Sequence, residues 1–187
     1  MAAAPFSIGS TISHYRVEAV GRRHDVVYGG YGEMKEQRRL KLSGIQVGIT
    51  GEYLVAAELS RRGYVATLTL RNTRGIDILA SNSDATRSVG IQVKTARGVR
   101  PDWMMNKKAE ADLAENLLYV FVCLAPEGSA TFYVVPRKVV AKSVRESHAE
   151  WLKTPGRQGQ AHKDTDMRRY KDPAHEYRDR WDLLGLG

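Results

Sequence analysis

The stretch GIDILASNSDATRSVGIQVKT, residues 75–95, decides the fold. It holds two runs, Ile76 to Ser81 and Ser88 to Thr95, rich in isoleucine and valine. Asn82-Ser83-Asp84 between them is turn chemistry, so the pair reads as a β-hairpin. Side chains alternate between the two faces of a strand. Val89, Ile91 and Val93 therefore point one way, and Gln92 and Lys94 the other. Asp77, between Ile76 and Ile78, lies on the side opposite those two. Paired in register, the hairpin brings Asp77, Gln92 and Lys94 to one patch. An acid, an amide oxygen and an ammonium suit a hard divalent cation beside a phosphate, because Mg²⁺ takes oxygen ligands and keeps several waters. A lysine there orients a water or offsets charge on a phosphoryl group. An ordinary hairpin with one polar face is the competing reading.

Outward from the hairpin, Ile45 to Arg62 is helical. Ile45, Ile49, Ala56 and Leu59 line one face, and Gly63 closes the helix. Glu52 lies on that apolar stripe, where an unpaired charge is expensive. It is either a metal ligand or a stripe-edge carboxylate paired with a nearby arginine. Glu58 stands four residues before Arg62, the favourable order for a surface ion pair. Val65 to Leu70 is a further β-rich run. Arg97 to Asn116 is mixed, with a helix expected over Ala109 to Glu115. Leu117 to Leu124 is continuously apolar, as in a central strand buried on both faces. Thr131 to Val135 is another strand, and Pro136 opens a helix over about Arg137 to Trp151. Helices before and after sequence-adjacent strands indicate an α/β sandwich around a mixed central sheet. No Gly-rich turn joins a strand to a helix, and GxxxxGK[ST] is absent, so a Rossmann or P-loop domain is excluded.

The chain has 187 residues, 42% hydrophobic and 27% charged, enough for one core. A single cysteine, Cys123, rules out an internal disulfide framework and Cys-based zinc clusters. The longest apolar run, Leu117 to Ala125, is too short to cross a bilayer. A cytoplasmic protein without membrane association is the expectation. The 29 Lys and Arg residues outnumber the 21 Asp and Glu, a net charge of +8. That excess suits a polyanionic partner or simply a solubilising surface.

The blocks GEYLVAAELSRRGY, RNTRGIDILA and VGIQVKT resemble the PD-(D/E)xK nuclease superfamily. They are most similar to its small members, the archaeal Holliday junction resolvases and restriction-endonuclease-like proteins. The resemblance spans about residues 44–95, with weaker support to about 151. It implies an αβββαβ core and Mg²⁺-dependent cleavage of a DNA phosphodiester, with Mn²⁺ as a substitute ion. By the same resemblance, Glu52, Asp77 and Gln92 hold the metal, and Lys94 positions the attacking water. The family's acid at the strand position is here Gln92, which costs the site one negative charge. Enzymes that cut both strands of a duplex often pair about a two-fold axis, so a homodimer is expected by analogy. Two other classes stay open: a nucleic-acid-binding module that does not cut, and a basic scaffold that binds protein.

Arg71, Asn72, Thr73 and Arg74 precede the Asp77 strand, either to clamp phosphate or as an exposed turn. Arg97 and Arg100, with Lys107 and Lys108, either extend a DNA track or form a charged loop. His162, Asp164 and Asp166 form an HxDxD run, read as solvated. Arg168, Arg169 and Lys171, with Tyr170 and Tyr177, read equally as a nucleic-acid patch or a docking tail. The organisation expected is an N-terminal extension over 1–33, a nuclease-like domain over 34–153, and a loose charged arm over 154–187 ending in a short helix that docks Trp181, Leu183 and Leu184. Residues 1–33 carry equal numbers of acidic and basic residues and are rich in glycine and serine. Deleting them is expected to leave a folded protein, measured by a cooperative thermal transition.

Overall fold

The computed structural model describes residues 42–70, 75–111 and 116–187. Residues 42–187 form one compact unit. The expected extension over 1–33 lies outside the described residues.

Helix α1 (Gly44–Arg61) begins with a capping box in which Ser43 and Gln46 each accept the other's backbone N–H. Gly63, at φ +84°, ends it in the left-handed conformation that glycine takes at least cost. The buried stripe is Val47, Gly51, Val55 and Leu59. The expected stripe shared only Leu59 with it, and Ile45 is 66% exposed. The helix turns a glycine toward the sheet, which hydropathy does not register. A Cβ on Gly51 would overlap the Thr95 hydroxyl, so the helix backbone lies directly on the next strand layer. Glu58 pairs with both Arg61 and Arg62, as its spacing anticipates.

Five strands form a mixed sheet in the order β1-β2-β3-β5-β6: β1 (Val65–Leu68), β2 (Ile78–Ser81), β3 (Ser88–Arg97), β5 (Leu117–Leu124) and β6 (Ala130–Pro136). Only the β3–β5 pair is parallel. Parallel neighbours require a crossover. Here it contains β4 (Asp102–Asn106) and a 3₁₀ turn (Lys107–Glu110), where the sequence had indicated a helix over Ala109 to Glu115. Residues 112–115 of that expected helix lie outside the described residues. β4 pairs with β7 (Met167–Lys171) as a two-stranded ribbon. The segment expected to be a loose arm is therefore part of the same compact unit as the sheet.

The sheet is covered on both faces. One core joins Val55 and Leu59 of α1 to Ile91, Val93 and Val120. Trp181 and Leu184 of the 3₁₀ turn Trp181–Leu184 dock there, with the Arg62 guanidinium 4.3 Å from the Trp181 ring centre. The other core joins α2 (Arg137–Lys153) and the ribbon to Tyr119, Phe121 and Cys123. Trp103 of β4 donates from its indole to the Val122 carbonyl at 2.9 Å, and Tyr170 of β7 stacks on Phe121 at 4.6 Å. Burial of Cys123 pushes its thiol up to about 11, as befits an inert core residue. Among the described residues no helix is long and apolar enough to cross a membrane.

Gly51→Ala is expected to lower stability by about 1–3 kcal/mol through overpacking against Thr95. The Thr95 hydroxyl is buried without a hydrogen-bond partner. Adding Thr95→Ala should therefore recover most of the loss, read as a double-mutant cycle in urea.

Candidate metal and phosphate site

β2 stops pairing with β3 at Ile78, opposite Ile91. One residue earlier, Asp77 continues the ladder in a different way. Its N–H donates to the Ile91 carbonyl at 2.8 Å, and its carbonyl accepts from Thr69 N–H at 3.0 Å. Its Oδ2 then accepts the Val93 N–H at 2.7 Å, taking the place of a strand carbonyl. The carboxylate is thereby fixed at the point where β2 leaves β3. Oδ2 is engaged, and Oδ1 has no protein partner among the described residues.

The next residues of β3 supply the rest. Extending the register sets Asp77 opposite Gln92, so their side chains share a face. Gln92 and Lys94 are both half-buried and line one cleft of about 800 Å³. Neither side chain has a hydrogen bond or ion pair to the described residues. The hairpin register thus sets Asp77 opposite Gln92, while Gln92 and Lys94, but not Asp77, line the cleft. Glu52 comes from the other side. It is half-buried on α1 and follows Gly51, the residue seated on Thr95 next to Lys94. α1 covers the opposite face of the sheet from Gln92 and Lys94. Beyond Asp77, no described strand pairs with β3 on the β2 side, so the sheet is open there between the two faces.

Two further residues complete the cleft. Tyr119 of β5 is the parallel-register partner of Gln92, and Arg137 is the first residue of α2. Arg137 donates from Nε to the Ala111 carbonyl at 3.0 Å and lies 6.0 Å from the Tyr119 ring centre. Burial raises the Tyr119 pKa, with Arg137 opposing and Asp77 reinforcing the shift. The phenol therefore stays protonated near neutral pH and able to donate. Residue spacing carries no signal for either residue, because the β3–β5 register is set across a long crossover.

The expected DNA-contacting residues separate. Lys108 lines the cleft. Lys107, its neighbour, instead pairs with Asp164 at 3.5 Å. Arg97 donates to the Leu42 carbonyl at the start of α1. Arg71, Asn72 and Arg74 lie outside the described residues. Asp164 of the HxDxD run accepts from His148 at 2.8 Å, the bond that chiefly holds its carboxyl below the usual range. His162 stacks on Trp151 at 4.0 Å. Arg168 is buried against Glu110 and Asp164 and Tyr170 is core, whereas Arg169, paired with Asp102, and Lys171 are exposed, so the basic–aromatic patch is split between core and surface.

Two donors suit a hard cation, the anchored Asp77 carboxylate with an uncommitted oxygen and the half-buried Gln92 amide, while Glu52 stands on the helix across the sheet. Among the described residues no three His, Cys, Asp or Glu side chains gather as a metal cluster. An ion here would draw on the Gln92 amide and on water as well as on carboxylates.

No protein-family model matches the chain, and no curated protein matches it in sequence. Among solved structures it is similar to a Holliday junction resolvase from the archaeal hyperthermophile Archaeoglobus fulgidus. The identity is 12%, over 75% of this chain and 97% of that one, with a TM-score of 0.45. It is similar also to a bacterial homing endonuclease, at 16% identity over 77% of this chain and 95% of that one, with a TM-score of 0.46.

The Asp77–Val93 bond has its own test. Asp77→Asn keeps an oxygen for the Val93 N–H and is expected to fold with near-native stability. Asp77→Ala orphans that N–H and should cost about 1–3 kcal/mol in urea unfolding.

Proposed function

We propose that the protein is a Mg²⁺-dependent DNA endonuclease that hydrolyses phosphodiester bonds. The observation that carries this reading is the Asp77 carboxylate held by the Val93 N–H where β2 leaves β3, between Gln92 and Lys94, which line the adjoining cleft. The sequence resemblance assigns those same residues to metal and water.

Asp77 and Gln92 would hold the ion, with Glu52 reaching it through the open edge of β3. When bound, the ion acidifies a water and draws charge from a phosphoryl oxygen. The chain's own groups do the rest. The Val93 N–H fixes one carboxylate oxygen of Asp77, so the other is presented without loss of side-chain freedom at the moment of binding. Lys94 has no acid partner among the described residues, which leaves its ammonium for an incoming water or a phosphate oxygen. The apolar floor of Leu79, Leu117 and Tyr119 keeps the local dielectric low and strengthens those attractions. Cutting both strands of a duplex calls for two such sites about a two-fold axis, so the proposal carries a homodimer, measurable by light scattering.

Gln92 favours a second reading, a non-cleaving nucleic-acid-binding module. It lowers the negative charge that attracts the metal, while leaving the cleft and its cations in place.

Nicking of supercoiled plasmid with Mg²⁺ or Mn²⁺ separates the two. The nuclease reading predicts nicking that falls on the order of 10²- to 10⁴-fold in Lys94→Ala. Salt-sensitive DNA retention without nicking would leave the binding module. Gln92→Glu restores a charge and is expected to tighten Mg²⁺ binding about tenfold or more in calorimetry. Weaker binding would count against this metal site.

A further inference from the structure

We infer that the cleft is a phosphate track for one nucleic-acid strand, in which Lys108 and Arg137 hold backbone phosphate outside the bond that reacts beside Lys94. The inference rests on the nuclease reading but concerns residues that reading does not use.

Three elements converge to make the track: Lys94 comes from β3, Lys108 from the 3₁₀ turn, and Arg137 from the start of α2. None of the three forms an ion pair among the described residues. On the same elements Lys107 pairs with Asp164, Lys142 with Glu146 and Lys153 with Glu150, whereas Lys138 and Arg145 of α2, outside the cleft, also form no ion pair among the described residues. Arg137 is already oriented, because its Nε is committed to the Ala111 carbonyl. Among the described residues its two terminal nitrogens have no partner, so a fork is set for a phosphate at little entropic cost. The helix it opens has no side-chain cap and no acid in its first turn, so the positive end of its dipole adds to the same potential. The amides of Asn106 and Asn116 on the cleft wall offer neutral donors beside these charges.

A strand is favoured over a small anion because the three charges come from three separate elements lining a cleft of about 800 Å³. Each cation then meets its own phosphate, and each contact releases counterions.

The experiment follows binding of a labelled DNA duplex to the full chain by fluorescence anisotropy in EDTA over a series of salt concentrations. Lys108→Gln and Arg137→Gln are each expected to weaken binding several-fold and to lower the slope of log affinity against log salt by about 1. Lys107→Gln, one residue away and held by Asp164, should leave the slope unchanged. Arg137→Lys should retain it. Lys108 is exposed and has no structural partner, so its variant carries the test even if Arg137→Gln fails to fold. Native slopes in both glutamine variants, or no salt-dependent binding by the parent chain, would overturn the track. Native slopes together with Lys94-dependent nicking would remove the track and leave the nuclease reading. Reduced slopes without nicking would do the reverse.

Discussion

One hydrogen bond organises the centre of this protein: the Asp77 carboxylate accepting the Val93 N–H. A strand inside a sheet must satisfy each backbone donor, and an unpaired one costs as much as a lost hydrogen bond. At Val93 the neighbouring strand has ended, and a side chain supplies the acceptor. The substitution solves two problems at once. It lets the chain leave the sheet without orphaning a donor, and it nails a carboxylate at the boundary between the two covered faces. Gln92 and Lys94 follow on the same strand, at the place where the sheet is open on that side.

The two faces carry different duties. The α1 face is closed by contact at the level of backbone, with Gly51 seated on Thr95. That closeness sets the distance between helix and sheet and carries Glu52 along with it. The α2 face is closed by rings, with Trp103, Phe121, Tyr133 and Tyr170 in mutual contact. It leaves the Gln92 end uncovered as a cleft. Arg168, buried on the ribbon, is tolerated because Glu110 and Asp164 both meet its guanidinium. Asp164 of the HxDxD run is thereby spent on structure.

Local alternation carried much of this arrangement in the sequence. The hairpin, the apolar strand β5 and the outlines of both helices followed from periods of two and of about 3.6. The placing of Asp77 opposite Gln92 needed only the hairpin register. What escaped notice depends on tertiary placement. The buried face of α1 was misjudged because its contact line runs through a glycine. β4 and β7 were missed because DWMMN and MRRYK are short, and one turns inward an arginine that only distant acids neutralise. Arg137 and Tyr119 became cleft residues through a parallel register fixed across the crossover. Nothing in the spacing of Lys107 and Lys108 told which would face the cleft, since adjacent residues on a tight turn diverge.

The pairing of β4 with β7 joins residues 102–106 to residues 167–171. During synthesis the helix α1, the hairpin and β5 leave the ribosome well before β7 exists. Until then the inner side of β4, with Trp103 and Met105, lacks its ribbon partner. The five-stranded sheet is therefore complete in the nascent chain before the ribbon that closes its second face.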